Sequence, residues 1–306
     1  MRNRFADTFY ELARADSRLC VVVADISPAG SMARFRQEFP DRFINTGVAE
    51  QIMIGMVAGL AQRGLRPFAY TIATFTLYRP FEMVRDDLCY QNLPVTIVGI
   101  GGGLAYSTLG ATHHAQEDVA IAGAVPNMSV IAPCDPAETE AATRWCAAQD
   151  RGPVYLRLGK AGEPDLTKDS IDPWTFGRVR RLRAGTDVCI LGYGPILAHA
   201  FALADRFAAA GRSAAVAAIP TPKPLDRDGL AAILTTFAHI VVIEECAPHG
   251  SVAMHVQALA FEIGARCRLD VFTAKDEFIH CYGSRDDLLE VHGLSVPAIA
   301  ARLGLH

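Results

Sequence analysis

Short runs that are apolar on both faces alternate with longer segments of helical periodicity through the first half of this chain, and few architectures accommodate that pattern. LCVVVAD (19–25), PFAYTI (67–72), PVTIVGIG (94–101), MSVIAP (128–133) and PVYLRL (153–158) predict strands, with helical patterns at 31–39, 48–63, 77–91, 115–123 and 136–149 between them. A strand with no polar face must be covered on both sides, so helices crossing over a parallel sheet are the expected solution. Residues 159–185, including KAGEPDLTKDSIDPWTFG, are polar and rich in Pro and Gly, as a linker between domains is. A second alternation follows, with strands at 187–193, 213–219, 239–245 and 268–273 and helices at 196–210, 226–237 and 249–263. The expected fold is α/β: two three-layer parallel-sheet domains, 1–158 and 186–306, joined by the 159–185 linker. A chain of 306 residues, 51% apolar, is long enough to bury two such cores.

Charge and cysteine usage exclude several functions. A net charge of -4 gives no basic field to recruit nucleic acid or an anionic membrane. The one basic run, Arg178, Arg180, Arg181 and Arg183, alternates like a strand and reads as a solvated sheet edge rather than a phosphate track. The eight cysteines are scattered, without a CxxC pair, mostly inside apolar runs, which suits reduced thiols in a cytoplasmic protein rather than a disulfide framework or a zinc site. MRNRFADTFYELARAD at the amino terminus reads as an amphipathic helix, not a signal peptide, and the longest apolar stretch, 188–204, is interrupted by Gly, Pro and His.

Ligands of open parallel sheets bind beyond the carboxyl ends of the strands. In the first domain those positions hold Asp25, Glu50, Thr74 and Phe75, the Gly101-Gly102-Gly103 loop leading to His113 and His114, and Arg157. Glu50 is the odd member: FINTGVAEQ places a carboxylate in the first turn of a helix whose continuation, IMIGMVAGLA, is apolar nearly all round. Its simplest role is to complement the helix dipole. His113 and Glu117, four apart on one turn, have metal-ligand spacing, but no third ligand is suggested and no metal is expected on this chain.

GVAEQ, Phe75 in YTIATF, YQNLPV, GATHHAQED, PNMSVIAPCDP and YLRLGK, in that order, resemble the pyrimidine-binding half of the transketolase family, which includes deoxyxylulose-phosphate synthases and the β subunits of 2-oxoacid dehydrogenases. TPKPLD, VVIEE and CYGSRDDLL resemble that family's carboxyl-terminal domain, so the resemblance runs from about residue 3 to residue 300. It implies thiamine diphosphate as cofactor. Glu50 matches the glutamate that shares a proton with the aminopyrimidine. Burial disfavours the charged form of a carboxyl group, so an acid in an apolar pocket can keep a proton to share. Phe75 would stack on the ring, Tyr78 would line the same pocket, and Asp25 matches an acidic residue near the cofactor. His113 matches the histidine that contacts substrate hydroxyls and moves protons, with His114 beside it. Arg157 matches an arginine that grips a sugar phosphate and Arg79 resembles a second one; for each, an ion pair with a nearby carboxylate is the alternative.

Two departures modify these expectations. Where transketolases and deoxyxylulose-phosphate synthases carry GEDGATH or GADGATH, this chain has YSTLGATH, so Leu109 stands where an aspartate would read a substrate hydroxyl. A leucine buried there could not accept that hydrogen bond, which points to a deoxy, modified or differently configured sugar. The family's GDG element, which holds magnesium and the diphosphate, is missing from the sequence. The resemblance therefore implies the carboxyl-terminal subunit of a split transketolase in an α2β2 assembly, inactive alone, with Mg2+ and diphosphate held by the partner and apolar surface at 48–63 and 77–91 as interface. Acyloin synthesis, 2-oxoacid oxidation and a non-catalytic regulatory subunit are the alternatives.

Overall fold

Every run read as a strand becomes one. The structure, a computed structural model, describes residues 1–25 and 31–305. In the first domain, α1 (Arg2–Ala15) leads into β1 (Leu19–Val23), α2 (Ala33–Glu38), β2 (Phe43–Asn45), α3 (Glu50–Gln62) and β3 (Arg66–Ile72). There follow α4 (Ala73–Leu77), α5 (Phe81–Met83), β4 (Thr96–Ile100), α6 (Asp118–Ala124), β5 (Ser129–Ile131), α7 (Pro136–Ala148) and β6 (Val154–Leu158). The strands pair in the order β2-β1-β3-β4-β6-β5, all parallel. On one face of this sheet Phe5, Phe9 and Tyr10 of α1, with Ala142 and Cys146 of α7, close an aromatic core over Phe68 and Tyr70. The expected amphipathic helix at the amino terminus thus buries its apolar stripe there.

The second domain contains β7 (Arg180–Arg183), β8 (Val188–Gly192), α8 (Leu197–Ala209), β9 (Ala214–Ala218), α9 (Arg227–Thr236), β10 (His239–Ile243), α10 (Val252–Glu262), β11 (Arg268–Phe272), α11 (Arg285–Val291) and α12 (Val296–Leu303). Its strand order is β11-β10-β8-β9-β7, with β7 antiparallel to β9. A second apolar core runs without a break from Met53 and Val57 of α3, through Val119 and Ala122 of α6, to Leu191, Val242 and Val256 of this domain. The two sheets therefore share one continuous interior.

The structure corrects three expectations. Residues 180–183, inside the expected linker bounds although their arginines read as a solvated sheet edge, form an edge strand of the second sheet; Arg181 is exposed on it, but Arg180 is 8% exposed and paired with the fully buried Glu138 at 2.9 Å. The helix expected at 77–91 breaks around Pro80, which lacks an N–H and clashes with the preceding turn, and resumes with π-helical hydrogen bonding over Val84–Tyr90. Pi-helical turns recur beside functional sites, and here the break releases Arg79 from a helical direction. Helices α11 and α12 complete the second domain without having been anticipated. All eight cysteines are free, six of them buried. No helix among the described residues is long and apolar enough to cross a membrane.

Candidate active site

Asn45, the last residue of β2, shapes the approach to Glu50. Its Oδ1 accepts hydrogen bonds from the Asp25 amide at 3.1 Å and the Gly47 amide at 2.9 Å, tying the ends of β1 and β2 to the turn that starts α3. Gly47 sits at φ +69°, a conformation that favours glycine. Glu50 then opens α3, which has no side-chain cap, and its carboxylate lies 2% exposed at the positive end of the helix. Asp25 is exposed at the same strand edge, and its amide is tied to this turn through Asn45.

Arg79 closes the cluster. Its Nη1 donates to both carboxylate oxygens of Glu50, at 3.0 and 3.1 Å, and its guanidinium carbon lies 4.4 Å from the centre of the Phe75 ring. Phe75 is presented by α4 directly after β3, and the His113 ring meets it edge-on at 5.0 Å. A planar cation bearing N–H donors is thus held between a buried acid and an aromatic face. Thr74 adds a buried hydroxyl with no hydrogen-bond partner among the described residues. The space that accepts a guanidinium suits an aminopyrimidine, whose ring nitrogen and flat face need the same two contacts, so the residues fit the heterocycle of thiamine diphosphate. Burial, with His114 and Arg79 nearby, holds His113 below its ordinary value, leaving a neutral imidazole able to accept a proton near pH 7.

His113 rides on a loop pressed against two side chains. A Cβ on Gly102 would stand 2.6 Å from Arg157 Nε, and one on Gly103 would stand 2.1 Å from a Glu245 carboxylate oxygen. Beneath the loop, Asp118 Oδ2 accepts from Arg157 Nε and from the Tyr155 hydroxyl, both at 2.8 Å. Arg157 is 3% exposed and Asp118 fully buried. Burial opposes the Arg157 charge, while Asp118 and its neighbours favour it, and the net effect raises its pKa.

The structure brings Glu50, Phe75, Arg79 and His113 into one cluster, but four expected roles change. Arg157 takes the ion-pair alternative: 3% exposed under the loop, it donates from Nε to Asp118 and from Nη2 to the Ala115 carbonyl at 3.4 Å. Arg79 is spent on Glu50 rather than on a phosphate side. The Tyr78 hydroxyl donates to Glu117 at 2.9 Å and accepts from the Glu117 amide, while its ring packs on the core, so it braces the loop instead of lining a pocket. His114 is 3% exposed with Nε2 facing the Ser107 carbonyl at 3.4 Å, so it is turned inward under the loop. Leu109, read as buried, is 49% exposed. Missed altogether were Asn45, whose place at a strand end before a Gly turn was a legible signal, and Lys160, exposed two residues beyond β6. Lys160 and Arg285 border a cleft of about 330 Å³ together with Gly102, Ser107 and Glu163. Among the described residues no group of three or more His, Cys, Asp or Glu is arranged to hold a metal ion.

Two α/β domains over a shared core, one sheet parallel and the other mixed, with a carboxylate and an aromatic ring converging at the strand ends of the first, make up a two-domain α/β protein with its candidate site at that edge. Residues 1–162 match the transketolase pyrimidine binding domain and residues 177–299 the transketolase C-terminal domain, and the chain belongs to the transketolase family. It is 33% identical over 260 residues, 85% of this chain and 83% of the other, to the B chain of the apulose-4-phosphate transketolase of Phocaeicola vulgatus. It is 34% identical over 267 residues, 87% and 81% of the two chains, to the SqwH chain of the 6-deoxy-6-sulfo-D-fructose transketolase of a Clostridium species. A solved structure described as a split gene transketolase, inactive β4 tetramer, superposes with a TM-score of 0.87 at 32% identity, covering 99% of this chain and 96% of the other.

Proposed function

We propose that this chain is the β subunit of a split, thiamine-diphosphate-dependent transketolase that moves a two-carbon ketol unit from a modified ketose to an aldose. The observation that carries the reading is the Glu50–Phe75 cradle, already filled by a planar cation of the right chemistry. When bound, thiamine diphosphate supplies a nucleophilic carbon that can hold negative charge. Glu50 would hold a proton at the pyrimidine nitrogen, Phe75 would cover the ring and keep water from it, and His113 would take and return a proton at a substrate hydroxyl. Lys160, at the neighbouring cleft, would meet an anionic group of the substrate. Leu109 lies beside Gly110, on which a Cβ would stand 3.3 Å from the Tyr282 ring. That apolar rim favours a donor lacking the hydroxyl an aspartate would read.

The diphosphate and its Mg2+ would belong to an α subunit carrying the GDG element. Val48 and Ile52, 71% and 60% exposed, and the open Gly55 and Gly59 give the entrance to α3 an apolar outer face suited to a partner in an α2β2 assembly. The purified chain is expected to show no cofactor-dependent turnover, and mixing it with a GDG-bearing partner should restore ketol transfer and give a complex of four chains by light scattering. Turnover by the single chain would refute the split site.

Arg79 must leave for the ring to enter, and at 47% side-chain exposure it has room to do so. Arg79→Ala should therefore tighten thiamine diphosphate binding by the assembled enzyme about fivefold, the worth of a half-exposed ion pair and its cation–π contact. Calorimetric titration of both forms gives the ratio; weaker binding by the variant would mean that Arg79 holds the cofactor rather than its place.

A further inference from the structure

The second domain touches the candidate site at both ends of one segment. Residues 104–116 leave the first sheet after Gly103 and return at Ala115, where the two backbones pair antiparallel. Between these ends lies His113. At the outgoing end, Glu245 of the second domain, 3% exposed, accepts a hydrogen bond from the Leu104 amide at 3.3 Å and is itself held by Arg285. At the returning end, the Ala247 amide donates to the Gln116 carbonyl at 2.8 Å, and the Gln116 side chain faces His292 Nε2 at 3.1 Å. Both Gln116 and His292 are 4% exposed.

The tautomer of His292 follows from its other contact. Its Nδ1 accepts from the Lys275 amide at 3.1 Å, so the ring proton of the neutral imidazole sits on Nε2 and is donated to Gln116, whose amide must turn its oxygen toward the histidine. Each ring nitrogen of His292 then has one partner, and the segment's return is fixed to the end of α11 by a bond of defined direction. Buried hydrogen bonds of this kind are costly to leave half-made.

We propose that Glu245 and His292 are positioning residues that make the second domain a clamp on the His113 loop, setting where the imidazole stands relative to Phe75 and Glu50. Glu50 and Phe75 are carried by α3 and α4, outside the clamped segment, so the clamp governs the substrate side of the site and leaves cofactor binding alone. The inference rests on the transketolase reading of His113.

The test uses the reconstituted two-subunit enzyme and measures kcat, donor KM and thiamine diphosphate affinity. His292→Ala is expected to lower kcat roughly tenfold or more, since small displacements of a catalytic group are that costly, with cofactor affinity unchanged. His292→Gln, whose amide can accept from Lys275 and donate to Gln116, should recover most of the loss. Should the alanine variant fail to assemble, Gln116→Met, which keeps the side-chain volume and removes the same hydrogen bond, carries the measurement. A variant that melts earlier yet keeps wild-type kcat and KM would overturn the clamp. His113→Ala run alongside separates the two readings: if it too leaves kcat untouched, the role given to His113 fails and the clamp with it, whereas its collapse beside an unaffected His292 variant overturns the clamp alone.

Discussion

Glu50→Gln in the assembled enzyme is expected to stop hydrogen–deuterium exchange at the thiazolium carbon of bound thiamine diphosphate, slowing it at least a hundredfold, as the loss of a positioned proton-transfer group does. Glutamine keeps the length and hydrogen-bonding capacity of the side chain but has no proton to share. It also releases Arg79, whose two hydrogen bonds at 3.0 and 3.1 Å both end on this carboxylate. Cofactor entry should thus be no harder in the variant, and a fall in exchange at full occupancy can be assigned to the missing acid. Exchange measured by quench and NMR at saturating cofactor decides the matter, and a wild-type rate would remove Glu50 from the chemistry.

The second large effect concerns stability. Asp118→Ala leaves the Arg157 guanidinium charged, 3% exposed and without its main partner, a situation that costs about 3–5 kcal/mol. Tyr155 loses its acceptor as well. For a domain of this size the melting temperature should drop by roughly 10 °C. The double variant Asp118→Leu with Arg157→Met should recover much of that, because a buried ion pair replaced whole by apolar side chains is often neutral. Calorimetry on the single and double variants tests both parts; a drop below about 2 °C for the single variant would mean that water reaches Arg157 and the pair is not interior.

What could be read without coordinates was set by local periodicity. Strands β1, β3, β4 and β6 and helices α1, α3 and α7 lie within a few residues of their expected bounds, because apolar runs of strand length and amphipathic spacing are local signals. Glu50 stood out because one acid interrupts an apolar helix at its first turn. For Arg157 the choice between a phosphate and a carboxylate stayed open because its partner, Asp118, lies 39 residues away, and a strand's period of two does not say which neighbour waits on a given face. Strand β7 was legible as a sheet edge, but the inward turn of Arg180 was not: arginines at 180, 181 and 183 look solvated, yet Arg180 pairs with the buried Glu138. The hold of Glu245 and His292 on the His113 loop joins residues more than a hundred positions apart, which no spacing rule reaches.

That inward arginine changes what the connecting segment is. On one side, Asp135 Oδ2 takes hydrogen bonds from the amides of Leu166 and Thr167 and from the Thr167 hydroxyl, at 2.8 to 3.0 Å, lashing the segment to the first domain. On the other, β7 is woven into the second sheet while Arg180 reaches back to Glu138. A protease nick in the exposed stretch near Gly162 would accordingly leave a two-piece molecule that still travels as one, and a fragment begun at Val188 would carry a raw sheet edge. The join is a seam rather than a free tether, since each side of it is hydrogen-bonded into the domain it meets.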